Sequence, residues 1–224
     1  MPGSQGSTGS AELLRLLGGD AVPAARKLLG AVLTSRRGDA EVAVRLTEVE
    51  AYAGEQDPGS HAWHGPTARN ATMYGPAGCL YVYFTYGMHW CANVVCGPAG
   101  TASAVLLRAG EVVEGIEAAR LRRPASRRDA DLARGPARLA TCLGLDRSCD
   151  GAHLLRGDGD LVLTTGVGDR AASIASGPRV GLSRAAEIPW RFWLAGDPTV
   201  SAYRPAGARR PRTPPARPRT PSGE

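Results

Sequence analysis

Two carboxylates stand two residues apart, with a tyrosine two further on, in Arg45-Leu-Thr-Glu-Val-Glu-Ala-Tyr52. In extended backbone, residues i, i+2 and i+4 share a face. Glu48, Glu50 and Tyr52 are therefore expected side by side, with Leu46 the one apolar member of that face. Turned to water, this is an ordinary strand surface. Turned toward a pocket, it is a reaction site, because a carboxylate in half-apolar surroundings can hold and polarise a water molecule. Glu50 is the stronger candidate, since it precedes a polar loop and Tyr52 follows it on the same face.

Other residues carry similar pairs of readings. Tyr81 and Tyr83 fall on one face of an alternating strand, Val82 and Phe84 on the other. Tyr86 comes where that strand gives way to Gly87-Met88, so it stands near a hairpin tip with no core to fill. It is either an edge aromatic lying on its own hairpin or a wedge placed between bases, where stacking contributes ~1–3 kcal/mol per base. Asn93 sits mid-strand, where asparagine is disfavoured, and either bonds neighbouring backbone or faces a pocket. Arg108 ends the apolar run Ala104-Val-Leu-Leu107, and either snorkels to solvent or reaches a phosphate or carboxylate. His61 and His64 are the nearest approach to a metal-ligand pair, and two histidines alone do not close a site; no metal is expected. Together the set fits an enzyme that acts on a base removed from a helix.

These residues need elements to hold them. Ser10 reads as the cap of a short helix through Leu17, and a second helix runs to Gly30. Strands are expected at 31–35 and 41–50, joined around Arg36-Arg-Gly-Asp39, and a hairpin at 79–86 and 89–95. Residues 53–78, rich in Gly, Pro, Thr and Asn, form a long loop region of the kind that is often functional. A strand over 103–108, an amphipathic helix over 111–122 and a helix opened by Pro136 and closed near Gly144 come next. Later strands or extended segments are expected at 161–165, 178–182 and 190–195. Hairpin-linked strands with helices to the side predict an α+β fold, a single domain around a curved antiparallel β-sheet with flanking helices.

Composition narrows the function classes. The 224 residues suffice for one substantial core. No run of 18 apolar residues is present, so no membrane span is expected. The first ten residues lack the apolar core of a signal peptide, and a cytoplasmic protein is expected. Cys79, Cys91, Cys96, Cys142 and Cys149 are odd in number and form no Cys-x-x-Cys, which predicts reduced core thiols. Residues 1–9 read as a flexible leader, 10–203 as the folded domain and 204–224 as a disordered Pro/Arg-rich basic tail. The net charge is +6, of which the tail after Pro205 holds +4 through five arginines and one glutamate. The tail is a solvated appendage or a tether to a polyanion. Lys27 is the only lysine, and it reads as an exposed helix residue. Pro2, the other candidate amine, lies on the leader, whereas covalent catalysis needs a fixed nucleophile.

At this point the ordered motifs resemble the 3-methyladenine (alkyladenine) DNA glycosylase family of monofunctional type. They are Thr47-Glu-Val-Glu-Ala-Tyr52, His61, Thr67-Ala-Arg-Asn70, Leu80-Tyr-Val-Tyr-Phe-Thr-Tyr-Gly-Met88, Asn93, Leu106-Leu-Arg108, Gly135-Pro-Ala-Arg-Leu139, Gly177-Pro-Arg-Val-Gly181 and Trp190-Arg-Phe192. The likeness runs from about residue 10 to about 202. It implies a monomer without metal or cofactor that hydrolyses the N-glycosidic bond of damaged purines in double-stranded DNA, in the cytoplasm and on the nucleoid when bound. By the resemblance, Glu50 is the general base for the attacking water, and Arg108 helps hold that water and the flipped nucleotide. Tyr52 and His61 sandwich the base, with Tyr83 on its other side. Asn93 crowds a 2-amino group, Tyr86 fills the gap in the duplex, and Met88 lies near it in the minor groove. Glu48 is assigned a structural part.

Two other readings use the same residues differently. A nucleic-acid-binding module without activity keeps Tyr86 and the basic tail but has no need of Glu50 or of the Tyr52/His61 pair. A glycosylase with lyase activity uses Pro2 or Lys27 as an amine nucleophile.

Overall fold

A computed structural model of the chain describes residues 5–38, 40–85, 87–166 and 173–207. Within them, helices α1 (Gln5–Leu17), α2 (Ala21–Leu28), α3 (Ile116–Arg122) and α4 (Pro136–Leu143) flank one sheet. Its nine strands are β1 (Val32–Ser35), β2 (Val42–Tyr52), β3 (Leu80–Thr85), β4 (His89–Val95), β5 (Ala104–Glu114), β6 (Ala133–Arg134), β7 (Leu161–Thr164), β8 (Ile174–Gly177) and β9 (Arg191–Leu194). The order is β3-β4-β5-β2-β1-β7, with β6 on β5, β9 on β2 and β8 on β9. Every pairing is antiparallel. The fold is α+β, as the hairpin pattern predicts.

Strand β2 is the spine of the molecule. It pairs with β5 along its length, with β1 over residues 42–45 and with β9 over residues 48–50. Between the two side partners its register against β5 shifts: Leu46 faces Gly110, while Glu48 faces Ala109. This is a β-bulge, with one extra residue that bends the strand. It also switches which residues point into the core. Val42, Val44 and Leu46 are core residues before it, and Val49 and Ala51 after it. Leu46 therefore does not share the face of Glu48 and Glu50, contrary to the simple alternation. Gly110 permits the bulge, because a Cβ there would run into Val44 and the Arg45 carbonyl.

The core joins Leu13 and Leu17 of α1, Ala24 and Leu28 of α2 and Leu139 and Leu143 of α4 to one sheet face. Pro136 opens α4 at its first turn, where a missing N–H is tolerated. Gly144, left-handed at φ 66°, closes it with its N–H on the Ala140 and Thr141 carbonyls. All five cysteines are buried and unpaired.

Three sequence expectations need correction. The helix expected at 111–122 starts at Ile116, because Glu111–Glu114 continue β5 against β2, with Arg45 and Glu111 as an ion pair. Gly115, at φ 72° and backed against the Glu41 carbonyl, makes the turn from strand to helix. Residues 178–182 are not a strand. The strand is Ile174–Gly177, and beyond Gly177 the chain leaves the sheet and crosses in front of β2. Helix α1 begins at Gln5, within the stretch read as leader, so Ser10 is not its cap. Buried Leu13 and Leu17 anchor the helix, and nothing between Gln5 and Ser10 is a proline that would stop it. Residues 1–4 and 208–224, with Pro2 and most of the basic tail, lie outside the described residues.

Candidate active site

The face that β2 presents after its bulge carries Glu48, Glu50 and Tyr52, and the two glutamates have different surroundings. Both are fully buried. Glu48 accepts from Arg108 Nε at 2.7 Å, Arg191 Nε at 2.8 Å and Ser201 Oγ at 2.9 Å on one oxygen, and from Ser201 N at 2.6 Å on the other. Burial alone would raise its pKa. Arg108 and Arg191, with the hydrogen bonds, more than offset this and hold it below the ordinary value. Glu48 is thus a saturated, ionised anchor.

Glu50 accepts from Val180 N at 2.7 Å on one oxygen and from the Tyr52 hydroxyl at 2.8 Å on the other. Arg108 Nη1 stands 3.4 Å from that second oxygen. Burial and then the nearby Glu50 charge hold the Tyr52 phenol well above its usual pKa, so it remains a donor. Arg108 is itself buried, and although burial opposes its charge, Glu50 and Glu48 raise its pKa further. The snorkelling alternative for Arg108 is excluded: it lies mid-strand in β5 and spans the two carboxylates.

A cavity of about 440 Å³ opens in front of Glu50. Its walls include Glu50, Tyr52, His61, Tyr83, Asn93 and Arg108, so six of the eight residues singled out in the sequence converge on one space. Glu50 is the only carboxylate among the lining residues, and Glu48 is not one of them. Asn93 Nδ2 donates to the Tyr81 carbonyl at 3.3 Å, so it both bonds backbone and faces the pocket. His61 meets Tyr83 edge-on at 4.5 Å between ring centroids, and its Nδ1 lies 3.3 Å from the Tyr81 hydroxyl. Desolvation of the ring, then nearby Arg69, lower the His61 pKa, so the imidazole is neutral at pH 7. Asn70 fixes the turn that carries it, donating to the His61 and Gly65 carbonyls at 3.0 and 3.1 Å.

The other two residues stand apart. Met88 is 66% exposed at the β3–β4 hairpin tip and does not line the cavity. Tyr86 lies outside the described residues. Beside the cavity, sharing Arg108, His89, Pro136 and Val180 with it, is a trough of about 640 Å³ edged by Arg123, Arg134, Arg138 and Arg204. Its walls are strongly cationic.

The cavity sets aromatic walls around one carboxylate, with arginines edging the trough beside it, and comparison with known proteins decides the family. A family model described as methylpurine-DNA glycosylase matches residues 16–198. The chain belongs to the methylpurine-DNA glycosylase family. A relative from Streptomyces avermitilis, provisionally named a 3-methyladenine DNA glycosylase, is 54% identical over 188 residues, which covers 83% of this chain and 88% of that one. Relatives with the same name from Nocardia farcinica and Leifsonia xyli are 54% and 55% identical, covering 87% and 80% of this chain and 91% and 86% of their own. As a family member the protein is a DNA glycosylase of repair that acts on alkylated bases, a hydrolase of N-glycosyl bonds. Its substrate is DNA. No helix among the described residues is long and apolar enough to cross a membrane.

Two residues of this site escaped the sequence reading. Val180 supplies a backbone N–H to Glu50, and Arg179 forms a fully buried bidentate pair with Asp57. Both arginine and valine lie in Gly177-Pro-Arg-Val-Gly181, noted only as a motif. Asp57 lies in Gln56-Asp-Pro-Gly59, within the stretch 53–78 read as a long loop, and nothing in a loop composition announces a buried ion pair.

Proposed function

We propose that the protein is a monofunctional glycosylase that takes an alkylated or deaminated purine out of duplex DNA into the Glu50 cavity and hydrolyses its N-glycosidic bond, leaving an abasic site. The observation that carries this is that Glu50, alone among the described carboxylates, lines the aromatic cavity, while Glu48 is saturated. In this reading Glu50 is the general base that activates water, and Arg108 holds the water and the flipped nucleotide. Tyr52, His61 and Tyr83 stack on the base, and Asn93 excludes a 2-amino group. Tyr86 fills the vacated position in the duplex, with Met88 beside it in the minor groove. The cationic trough beside the cavity suits a phosphodiester backbone.

The chemistry needs little more. Cleavage passes through an oxocarbenium-like transition state. An alkylated purine such as 3-methyladenine or 7-methylguanine is already cationic and leaves without an added proton, so one carboxylate suffices. Neutral lesions such as hypoxanthine and ethenoadenine leave less readily and rely more on binding and on protonation. Neutral His61 is a hydrogen-bond partner rather than a strong acid. Lys27 is exposed on α2 and does not line the cavity, which leaves the site without a lysine nucleophile. The test is base release from duplexes carrying 3-methyladenine, 7-methylguanine, hypoxanthine or ethenoadenine. The wild-type protein releases at least one of them, and Glu50→Gln binds the duplex but releases almost none. Undiminished release by Glu50→Gln refutes the catalytic assignment.

A further inference from the structure

The Tyr52 ring lines the cavity, and a guanidinium lies against it. Arg179 Cζ is 4.7 Å from the ring centroid, yet Arg179 has no exposure and does not line the cavity. The tyrosine ring therefore separates the cation from the cavity. The Trp190 ring lies 5.3 Å from the same carbon. Asp57 accepts from both terminal nitrogens, and the Ala51 carbonyl accepts from Nη1 at 3.0 Å. Asp57 is in turn fixed by the Ala53 and Gly59 N–H groups. Nε of Arg179 has no partner among the described residues. A buried donor left unbonded is uncommon, so hydrogen bonding alone does not account for the placement. The two rings do.

An aromatic ring attracts a cation through the negative potential of its face. Arg179 already occupies one face of Tyr52. A cationic base arriving on the cavity face meets a ring whose electrons are drawn the other way, with a like charge behind it. A neutral purine held by dispersion and burial meets no such opposition. We infer that Arg179, acting through Tyr52, is a specificity-determining positioning residue that weakens the pocket's preference for cationic bases and so levels its handling of cationic and neutral lesions. Asp57 balances the charge of the pair, but the guanidinium is the group that meets the ring. This inference rests on the proposal that Tyr52 stacks on the base.

The experiment compares single-turnover release of 7-methylguanine, a cation, with that of hypoxanthine, which is neutral, from otherwise identical duplexes by the full chain. Arg179→Met with Asp57→Asn removes both charges and strands neither. The ratio of cationic to neutral release rises at least about threefold, the weak end of the cation–π range expressed as a rate ratio. An unchanged ratio in a folded double variant overturns the inference. If that variant does not fold, Arg179→Lys decides. Its compact ammonium keeps to Asp57 and leaves the ring, so the ratio rises by a smaller factor, and an unchanged ratio again overturns the inference. Tyr52→Leu tests the foundation separately: it slows release of both lesions, whereas wild-type release by Tyr52→Leu refutes the stacking proposal itself.

Discussion

Exchanging Glu48 and Glu50 in turn for glutamine tests the proposed division between anchor and catalyst. The buried cluster holds Arg108 and Arg191 against Glu48 and Glu50, two charges of each sign. Glu48→Gln leaves a net buried positive charge. Its amide oxygen can still accept from Arg108 and Arg191, but its NH2 then faces the Ser201 N–H, donor against donor. Breaking one side of a buried ion-pair network costs about 3–5 kcal/mol. Against a total stability of ~5–15 kcal/mol, that is a large share. At about 2–4 °C per kcal/mol for a chain of this length, the midpoint falls by about 6–20 °C. Glu50→Gln leaves the same net charge and turns its NH2 toward Arg108 Nη1, but fewer bonds are broken, because a carboxamide can accept from Val180 N and donate to the Tyr52 oxygen while Arg108 keeps Glu48. Its cost is smaller than that of Glu48→Gln, but release falls by about 10²–10⁴ if Glu50 is the general base.

Thermal unfolding followed by circular dichroism, paired with single-turnover base release below the lower midpoint, reads both effects. The acid limb adds a check. The folded Glu48 carboxyl titrates below its ordinary value of 4.5, so its stabilisation is full above that value and is lost as pH falls through the folded one. The stability gap between wild type and Glu48→Gln therefore narrows as pH drops below 4.5. A Glu48→Gln protein as stable as wild type but inactive, beside an active Glu50→Gln, refutes the division of roles.

Single sites give further outcomes. Gly110→Ala forces a Cβ into Val44 and the Arg45 carbonyl, which costs about 1–3 kcal/mol in urea unfolding; an unaffected midpoint would mean the bulge is not held by that contact. Tyr86→Ser weakens binding to a lesion duplex about 5- to 150-fold, the equivalent of ~1–3 kcal/mol of stacking, and equal affinity by fluorescence anisotropy would make Tyr86 an ordinary hairpin aromatic. Borohydride reduction on abasic or lesion DNA traps no covalent adduct if the enzyme is monofunctional, as the placement of Lys27, the only lysine, away from the cavity supports; a trapped species would establish a lyase using Lys27 or Pro2.

The fold class was legible because its strands are rich in β-branched and aromatic residues and neighbours in sequence pair as hairpins, as β3 and β4 do across Gly87. Elements failed where local pattern and pairing disagreed. Glu111–Arg122 has helical amphipathicity, yet its first four residues had a partner strand waiting in β2, and long-range pairing overrode the local preference. Residues 178–182 look extended, but they turn at Val180-Gly181 and line the cavity instead of joining the sheet. The cavity-lining set was legible as chemistry because each of its polar or aromatic residues was out of place for a plain strand or loop. Arg179 and Asp57 were not legible, because an ion pair across 122 residues leaves no local trace.

The bulge in β2 is where these levels meet. Strict alternation puts Leu46 on the face of Glu48 and Glu50, and then that face has a half-apolar, ambiguous character. The extra residue at the bulge sends Leu46 into the core and places Thr47 and Glu48 next to each other on the outer face. Their partners, Thr199 and Ser201, come from one segment after β9. The strand thus changes neighbours from β1 to β9 at the same point where its polar residues change from surface to site. Glu48 uses that junction to fasten β5, β9 and the segment beyond it through Arg108, Arg191 and Ser201. Glu50, one pleat further, is left with two hydrogen bonds and an open cavity. Two identical side chains therefore acquire different surroundings from which neighbours the bulge gives them: Glu48 accepts four hydrogen bonds, and Glu50 accepts two and faces the cavity.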